Sequence, residues 1–564
     1  MNTIFKHKIL TGAMLFGAML FASSCDDSEG LKVTPEVPYA DKTMFEVITS
    51  DPDLSDFVEV LNACGAHCAD SLFNHSRVYT LWAPTDGTFN KDSLIDEVEA
   101  GNRELVFKYF IESHIANHLR AASGKLDESN KILLLNEKMA TFEGDHINGY
   151  TFSGQTISDA NIRVWNGVLH KLSSPARYKY NIWEYLKLDS RIDSVANFLY
   201  AYDVTEFSES QSVAGPIKDG QQTYLDSVFV TKNDLLNSWN GVGMLNTEDS
   251  TYTVYVPTNE LWTQMHELAY GHFNYNQRRQ PNSLTIEDRD SLRNLYSRIN
   301  VLKYITYSDN EQRYVDSPDS VMPAWQGTST FVSRPLFAKA QLEENVIHEE
   351  PLSNGTLKIV DKLPYTEFDL WHDTIKMEGE QEAMRTLAST SGITINNIIV
   401  SKDDIAKDTT WKDTKLSGGS YFQAKSDRNT VTLTYKLPDA LSASYEVAVI
   451  IVPEGFPNVN DSTARPSELT LTLSQYAGSG NKKETLYTTT AVRNNPTRVD
   501  TIYLTDKQGA RAVVRVPYCE YYRTWNKDDY GLELELKTPN RNYRDLDKSI
   551  RLDAILLIPV KDAE

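Results

Sequence analysis

Tyr79-Thr80-Leu81-Trp82-Ala83-Pro84-Thr85-Asp86-Gly87-Thr88-Phe89 runs a short apolar strand into a Pro-Thr-Asp corner. Tyr252-Thr253-Val254-Tyr255-Val256-Pro257-Thr258-Asn259-Glu260-Leu261-Trp262 repeats it, with the same order of β-favouring residues, proline, threonine and Asp or Asn. A chain that makes one unusual corner twice reads as two copies of one domain, and such repeats take precedence over any local assignment. Working outward, Met44, Phe45, Val47 and Ile48, then Leu54, Phe57, Val58 and Leu61, follow helical spacing on either side of Ser50-Asp51-Pro52. Trp183, Glu184, Leu186, Asp189, Ile192 and Leu199 repeat the positions of Phe45, Glu46, Ile48, Asp51, Leu54 and Leu61. Downstream, Leu105 to Ile111 is amphipathic and has a partner in Val301 to Ile305. Short strands are expected at 132–135 and 151–157. The copies close with Asn166-Gly167-Val168-Leu169-His170-Lys171-Leu172 and Asn354-Gly355-Thr356-Leu357-Lys358-Ile359-Val360.

In this order, the leading helices, the corner and the Asn-Gly closing strand resemble tandem fasciclin (FAS1) domains over about residues 41 to 366. The resemblance implies compact α+β domains, each a β-wedge of short strands covered by helices, and implies adhesion or binding. The residues also explain themselves structurally. Asp86 and Asn259 are placed to cap the helix that follows each corner, and Asn-Gly is a turn former with ready access to positive φ. His170 fits the family's closing histidine, but the second copy has Lys358 there, which favours a packing or hydrogen-bonding role. His114 matches a mid-domain histidine that the family usually precedes with Tyr; Ser113 stands there instead and weakens transfer of the adhesive motif. The second copy carries insertions, at 202–252 and 269–290, where binding specificity or mere loop variation would reside.

After Pro364 the pattern turns to short strands at 430–436, 445–452, 468–474, 484–491, 501–504, 510–516, 531–537 and 550–558, indicating an antiparallel sandwich. The fold class is therefore multidomain: two α+β domains followed by an all-β, jelly-roll-like sandwich. The expected division is 1–24, 25–40, 41–178, 179–366 and 367–564. Details of the last part resemble carbohydrate-binding modules with a galactose-binding-like jelly roll. The resemblance implies a structural Ca²⁺ on Glu378, Glu380 and Asp553, hard ligands suited to it, with surface acids as the plain alternative. No cofactor is otherwise required. The segment Tyr518 to Tyr530 concentrates aromatics among polar groups, so Tyr518, Tyr521, Tyr522, Trp525 and Tyr530, and separately Trp325, are candidates for a ligand platform; core packing is the alternative.

The N-terminus gives location. Lys6 and Lys8 precede an apolar run from Ile9 to Ala22, which reads as an export signal. Leu20-Phe21-Ala22-Ser23-Ser24-Cys25 resembles a bacterial lipobox with Cys25 acylated, and Asp26, Asp27 and Glu29 resemble the surface-export signal of Bacteroidetes lipoproteins. Residues 25–40 are a tether. Cys64 and Cys68 flank Gly65-Ala66-His67 and read as core or loop thiols, a local disulfide or a metal site.

The chain of 564 residues is 40% hydrophobic and carries a formal charge of −22 with no Lys/Arg-rich run, which opposes nucleic-acid binding. No nucleophile elbow, zinc-binding H-E-x-x-H, P-loop or dinucleotide fingerprint occurs, so the chain is expected not to be an enzyme. A polysaccharide hydrolase is the remote exception, because paired carboxylates need not be close in sequence. The expected function is that of a lipid-anchored, outer-membrane, cell-surface protein that binds an extracellular glycan or protein, as accessory to a SusC/SusD-like importer. The alternative is adhesion or matrix docking.

Overall fold

The computed structural model describes residues 41–65, 73, 77–127, 130–210, 212–218, 220–237, 241–277, 285–308, 317–325, 336–362, 366–400, 416–458, 460–477, 482–522, 527–540 and 544–561. Cys25 and Cys68, with the expected export signal and tether, lie outside them. The chain is a multidomain α+β and β-sandwich protein that divides into two compact units, Met1–Lys179 and Tyr180–Glu564.

In the first unit, helix Met44–Ser50 starts at a capping box in which Thr43 and Glu46 bond each other's backbone N–H, and Pro52 opens the turn leading to helix Ser55–Ala63. Met44, Val47, Ile48, Phe57, Val60 and Leu61 are buried, as the helical spacing requires. They cover the corner strand Tyr79–Pro84, which pairs in parallel with Gly167–Leu172 from Tyr79↔Gly167 to Pro84↔Leu172. Antiparallel strands complete a seven-stranded sheet: Ile115–Ala116 on one side, and Gln155–Val164, Gly149–Phe152, Met139–Asp145 and Lys131–Leu133 on the other. Lys131–Leu133 overlaps the expected stretch 132–135, whereas the stretch 151–157 is a hairpin, the strands Gly149–Phe152 and Gln155–Val164 broken by a turn at Ser153-Gly154; Met139–Asp145 has a Glu-Gly-Asp end that hides its period. Strand alternation splits the core: Leu81 faces the helices, and Trp82 stacks on Phe152 at 4.3 Å on the other face.

The second unit begins with the same construction. Asn181 and Glu184 form the capping box of Ile182–Tyr185, helix Asp193–Tyr200 follows, and Tyr252–Pro257 pairs in parallel with Gly355–Val360. Thr306–Ser308 and Val346–Leu352 flank this pair in a four-stranded sheet. The first insertion forms two-stranded ribbons, Asp203–Phe207 with Phe229–Asn233 and Val213–Lys218 with Gln221–Asp226.

Beyond it, two antiparallel sheets face each other. The larger has the order Thr394–Ile399, Ser420–Lys425, Ile550–Val560, Ser444–Ile451, Asp500–Tyr503, with Ile375–Glu378 and Val513–Arg515 also paired to it. The smaller runs Arg385–Leu387, Thr432–Lys436, Leu532–Lys537, Glu468–Ala477, Lys482–Thr488. Alternate residues such as Phe422, Val447, Val449 and Leu557 meet Leu433, Leu471, Leu473 and Leu534 between them, all fully buried. One hydrophobic core runs without a break from Ile182 through the helices of this unit into the sandwich.

Candidate functional site

Among the described residues, the aromatics of the segment at 518–530 are packed into the protein and do not present an open platform. Tyr521, Tyr522 and Tyr530 are buried, Tyr518 is half-buried, and Trp525 lies outside the described residues. The cause is the second insertion, expected to be a variable loop, which docks onto this segment. Tyr275 Oη donates to Tyr521 O at 2.7 Å, Cys519 N to Asn274 O at 2.9 Å, and Asn274 Nδ2 to Pro517 O at 3.2 Å. Tyr275 and Tyr296 lie ring to ring with Tyr522 and Tyr521, at 5.3 and 5.4 Å. Trp325 is likewise buried, in the same core. Local composition cannot separate a tyrosine that faces a ligand from one that faces another part of its own chain.

A different surface carries exposed chemistry. On the outward side of the larger sheet, cross-strand partners share a face. Tyr503, Ala448, Leu556 and Lys376 form one row, and Thr501, Ile450, Ala554 and Glu378 the next. Tyr503, Ile450 and Leu556 are half-buried, and Ala448 and Ala554 between them are fully buried. Arg511 lies over the Tyr503 ring at 3.7 Å and pairs with Glu446 Oε2 at 3.1 Å. Glu446 is itself opposite the half-buried Ile558. An aromatic and aliphatic strip bordered by a carboxylate, a guanidinium and an ammonium group results. Sequence reading missed it because the residues come from four strands and, in Arg511, from outside them, each unremarkable alone.

The carboxylates Glu378, Glu380 and Asp553 are brought to one place. Asp553 sits in the central strand and accepts Ser417 N–H at 3.0 and 3.2 Å on its two oxygens. Burial, then the neighbouring Glu378 and Glu380 carboxylates, push its pKa up to about 7. Lys376 Nζ lies 2.9 Å from Glu378 Oε1, whereas Glu378 Oε2 and Glu380 Oε2 are buried without a hydrogen-bond partner. Three hard carboxylates with two orphaned oxygens fit a Ca²⁺ ion, which would supply the missing positive charge. The fit is open rather than tight: they do not form a set in which every ligand atom is within 4.8 Å of the others.

The corner residues and the closing Gly167 act differently from expectation. Asp86 caps the helix before it, accepting Asp56 N–H at 2.8 Å and bonding Ser55 N and Oγ. Asn259 does the same in the second copy, accepting Ser194 N–H at 2.8 Å. The helices that follow are capped by Asn90 and Thr258. Gly167 has no positive φ; its requirement is space, because a Cβ there would lie 2.1 Å from Tyr79 O. At Gly355 both apply, with φ 142° and a Cβ 1.9 Å from Tyr252 O. His170 is buried, stacked on Trp82 at 5.7 Å, with Nε2 3.0 Å from Arg120 O. At the same register position Lys358 faces Tyr255 and pairs with Glu343 at 2.7 Å. His114 is buried between Phe110 O and Ala176 N. Cys64 is buried among the leading helices.

No protein-family profile matches the chain, and no curated protein matches it in sequence. Among solved structures, it is similar to a FAS1 domain pair from the insect cell adhesion molecule Fasciclin I. Identity is 13% over 56% of this chain and 98% of that one, with a TM-score of 0.21. A family 11 carbohydrate-binding module from Clostridium thermocellum, in complex with a β-1,3-1,4-mixed-linked tetrasaccharide, is similar at 14% identity over 34% of this chain and 98% of that one, TM-score 0.20. The non-crystalline-cellulose-specific module CBM28 is similar at 8% identity over 33% and 91%, TM-score 0.17. Likenesses this slight leave the description of the fold to the strand orders and registers above.

Proposed function

We propose that this chain is a non-catalytic binding protein whose sandwich takes an extracellular glycan on the outward face of its larger sheet. The observation that carries the reading is the half-buried strip of Tyr503, Ile450, Leu556 and Ile558 bordered by Glu446, Arg511 and Lys376. A sugar ring offers an apolar C–H face and a rim of hydroxyls, and the strip offers apolar area with charged hydrogen-bonding groups beside it. In this reading Cys25 is the lipid anchor at the outer surface, the carboxylate trio holds a structural calcium, and the protein serves a SusC/SusD-like importer. The three-part division at 41–178, 179–366 and 367–564 belongs to the same proposal. No helix among the described residues is long and apolar enough to cross a membrane.

Titration of the purified chain with soluble polysaccharides, followed by calorimetry, tests the reading. Binding is expected to be lost in Tyr503→Ala and weakened in Arg511→Ala; binding unchanged by both removes this face from consideration. Protein docking is the second reading, favoured by the ribbon Asp203–Phe207 and Phe229–Asn233, where Val204, Phe207 and Phe229 are 55%, 40% and 63% exposed.

A further inference from the structure

We infer that His272, Glu367 and His372 form a binding site for a divalent transition-metal ion of the zinc class, which fastens the second α+β segment to the sandwich. Their ligand atoms all lie within 4.8 Å of one another. His272 is the last residue of helix Asn259–His272, where the helix dipole favours a cation. Its Nδ1 is 3.3 Å from Ser442 O and its Nε2 is 3.3 Å from Glu367 Oε2. Both neighbours are acceptors, and a neutral imidazole has one N–H to give. With that proton donated to Ser442 O, the Nε2 lone pair points at a carboxylate oxygen, an arrangement that a cation between them relieves.

A second proton would suffice for the pair alone. The third member distinguishes the cases, because His372 brings another imidazole to the same point. Its ring centre is 4.7 Å from that of His272, and it is held by stacking on Phe368 at 4.9 Å and by its backbone N–H to Glu367 O at 3.0 Å. Two imidazoles and one carboxylate are a donor set for zinc, cobalt or nickel rather than calcium or magnesium. Tetrahedral bonds of about 2.0–2.1 Å place neighbouring ligand atoms about 3.3–3.4 Å apart, which the 3.3 Å between His272 Nε2 and Glu367 Oε2 meets. The Ser442 carbonyl is the outer partner that fixes the tautomer, and Ser442 N–H returns a bond to His272 O at 2.8 Å. His272 and Glu367 keep side-chain exposures of 18% and 26%, leaving an approach for the ion and a fourth position for water. The ion would thus join the helix end, the connector at 366–372 and, through Ser442, the sandwich.

The test uses the full chain, stripped with chelator and dialysed against Zn²⁺ or Co²⁺. One equivalent by elemental analysis is expected, with the visible absorption of tetrahedral Co²⁺, a higher melting temperature with Zn²⁺, and loss of all three in His272→Ala with His372→Ala. Should that variant fail to fold by circular dichroism, Glu367→Gln, at a partly exposed position, provides the same comparison through weakened uptake. No stoichiometric uptake would reduce the cluster to a hydrogen-bonded His272–Glu367 pair and overturn the assignment. Uptake unchanged in the folded variants would overturn it equally.

Discussion

At Asp86 and Asn259 the corner side chain reaches back to the N-terminus of a helix formed about thirty and sixty-five residues earlier, respectively. Neither helix has a side-chain cap from its own flanking residue, Leu54 or Ile192. The corner therefore satisfies orphan N–H groups that the helix cannot. Asn166 and Asn354 complete the tie: each accepts from the first leading helix, Met44 N–H at 2.7 Å and Ile182 N–H at 2.9 Å, and donates to a distant carbonyl, that of Phe73 or Leu245. Asp86→Ala and Asn259→Ala are each expected to cost about 1–2 kcal/mol in urea unfolding. Gly167→Ala should cost more, since its Cβ would collide with backbone rather than with a movable side chain. A neutral result for both cap variants would show that water replaces the corner.

Buried groups in named elements respond to pH with opposite signs. Burial pulls the imidazoles of His114, in the turn Glu112–His114, and His170, in the closing strand, down to about 4, although each bonds a carbonyl. An unfolded histidine titrates near about 6.5, so the unfolded state takes protons first. Their contribution is full above about pH 6.5 and is lost as pH falls through 4. Asp553 does the reverse. Its folded pKa of about 7 exceeds the unfolded value of about 3.9, so its contribution is full below about pH 3.9 and is lost as pH rises through 7. Without divalent ions, Asp553→Asn is expected to raise the melting temperature at pH 8 by about 2–4 °C or more and to change little at pH 4. Ca²⁺ should raise that of the unmodified chain at pH 8 and leave the variant less affected. Equal melting shifts at both pH values would show that the trio is not crowded.

At the scale of the whole second unit, the leading helices, the paired corner and many sandwich strands were legible because each is local: helical spacing, the Pro-Thr-Asn corner and strand alternation all announce themselves within about ten residues. What could not be read is what depends on distant pairing. Asp86 looked like a cap for the next helix because sequence shows only the next helix. Tyr521 and Tyr522 looked exposed because nothing nearby names Tyr275 and Tyr296 as their cover. The outward strip and the His272 cluster draw on residues scattered over several elements and leave no motif. Since one core crosses from Ile182 into the sandwich, residues 180–564 are expected to unfold in a single transition. A fragment of residues 367–564 alone should bind a hydrophobic dye through its uncovered tyrosines. Two separated transitions in 180–564, or a dye-silent fragment, would show that the shared core is not cooperative.

Cys519 lies under this contact, with Tyr275 paired to it by a β-bridge and no exposed surface. Burial pushes its thiol pKa well above the ordinary range, keeping it protonated. The thiol therefore works as a clock. In a chain whose other cysteines are replaced by serine, a thiol-reactive dye can reach it only when the second segment lifts from the sandwich. The labelling rate at low denaturant then reads the frequency of that opening directly, and its slowing by Zn²⁺ would measure how firmly an ion at His272 holds the joint.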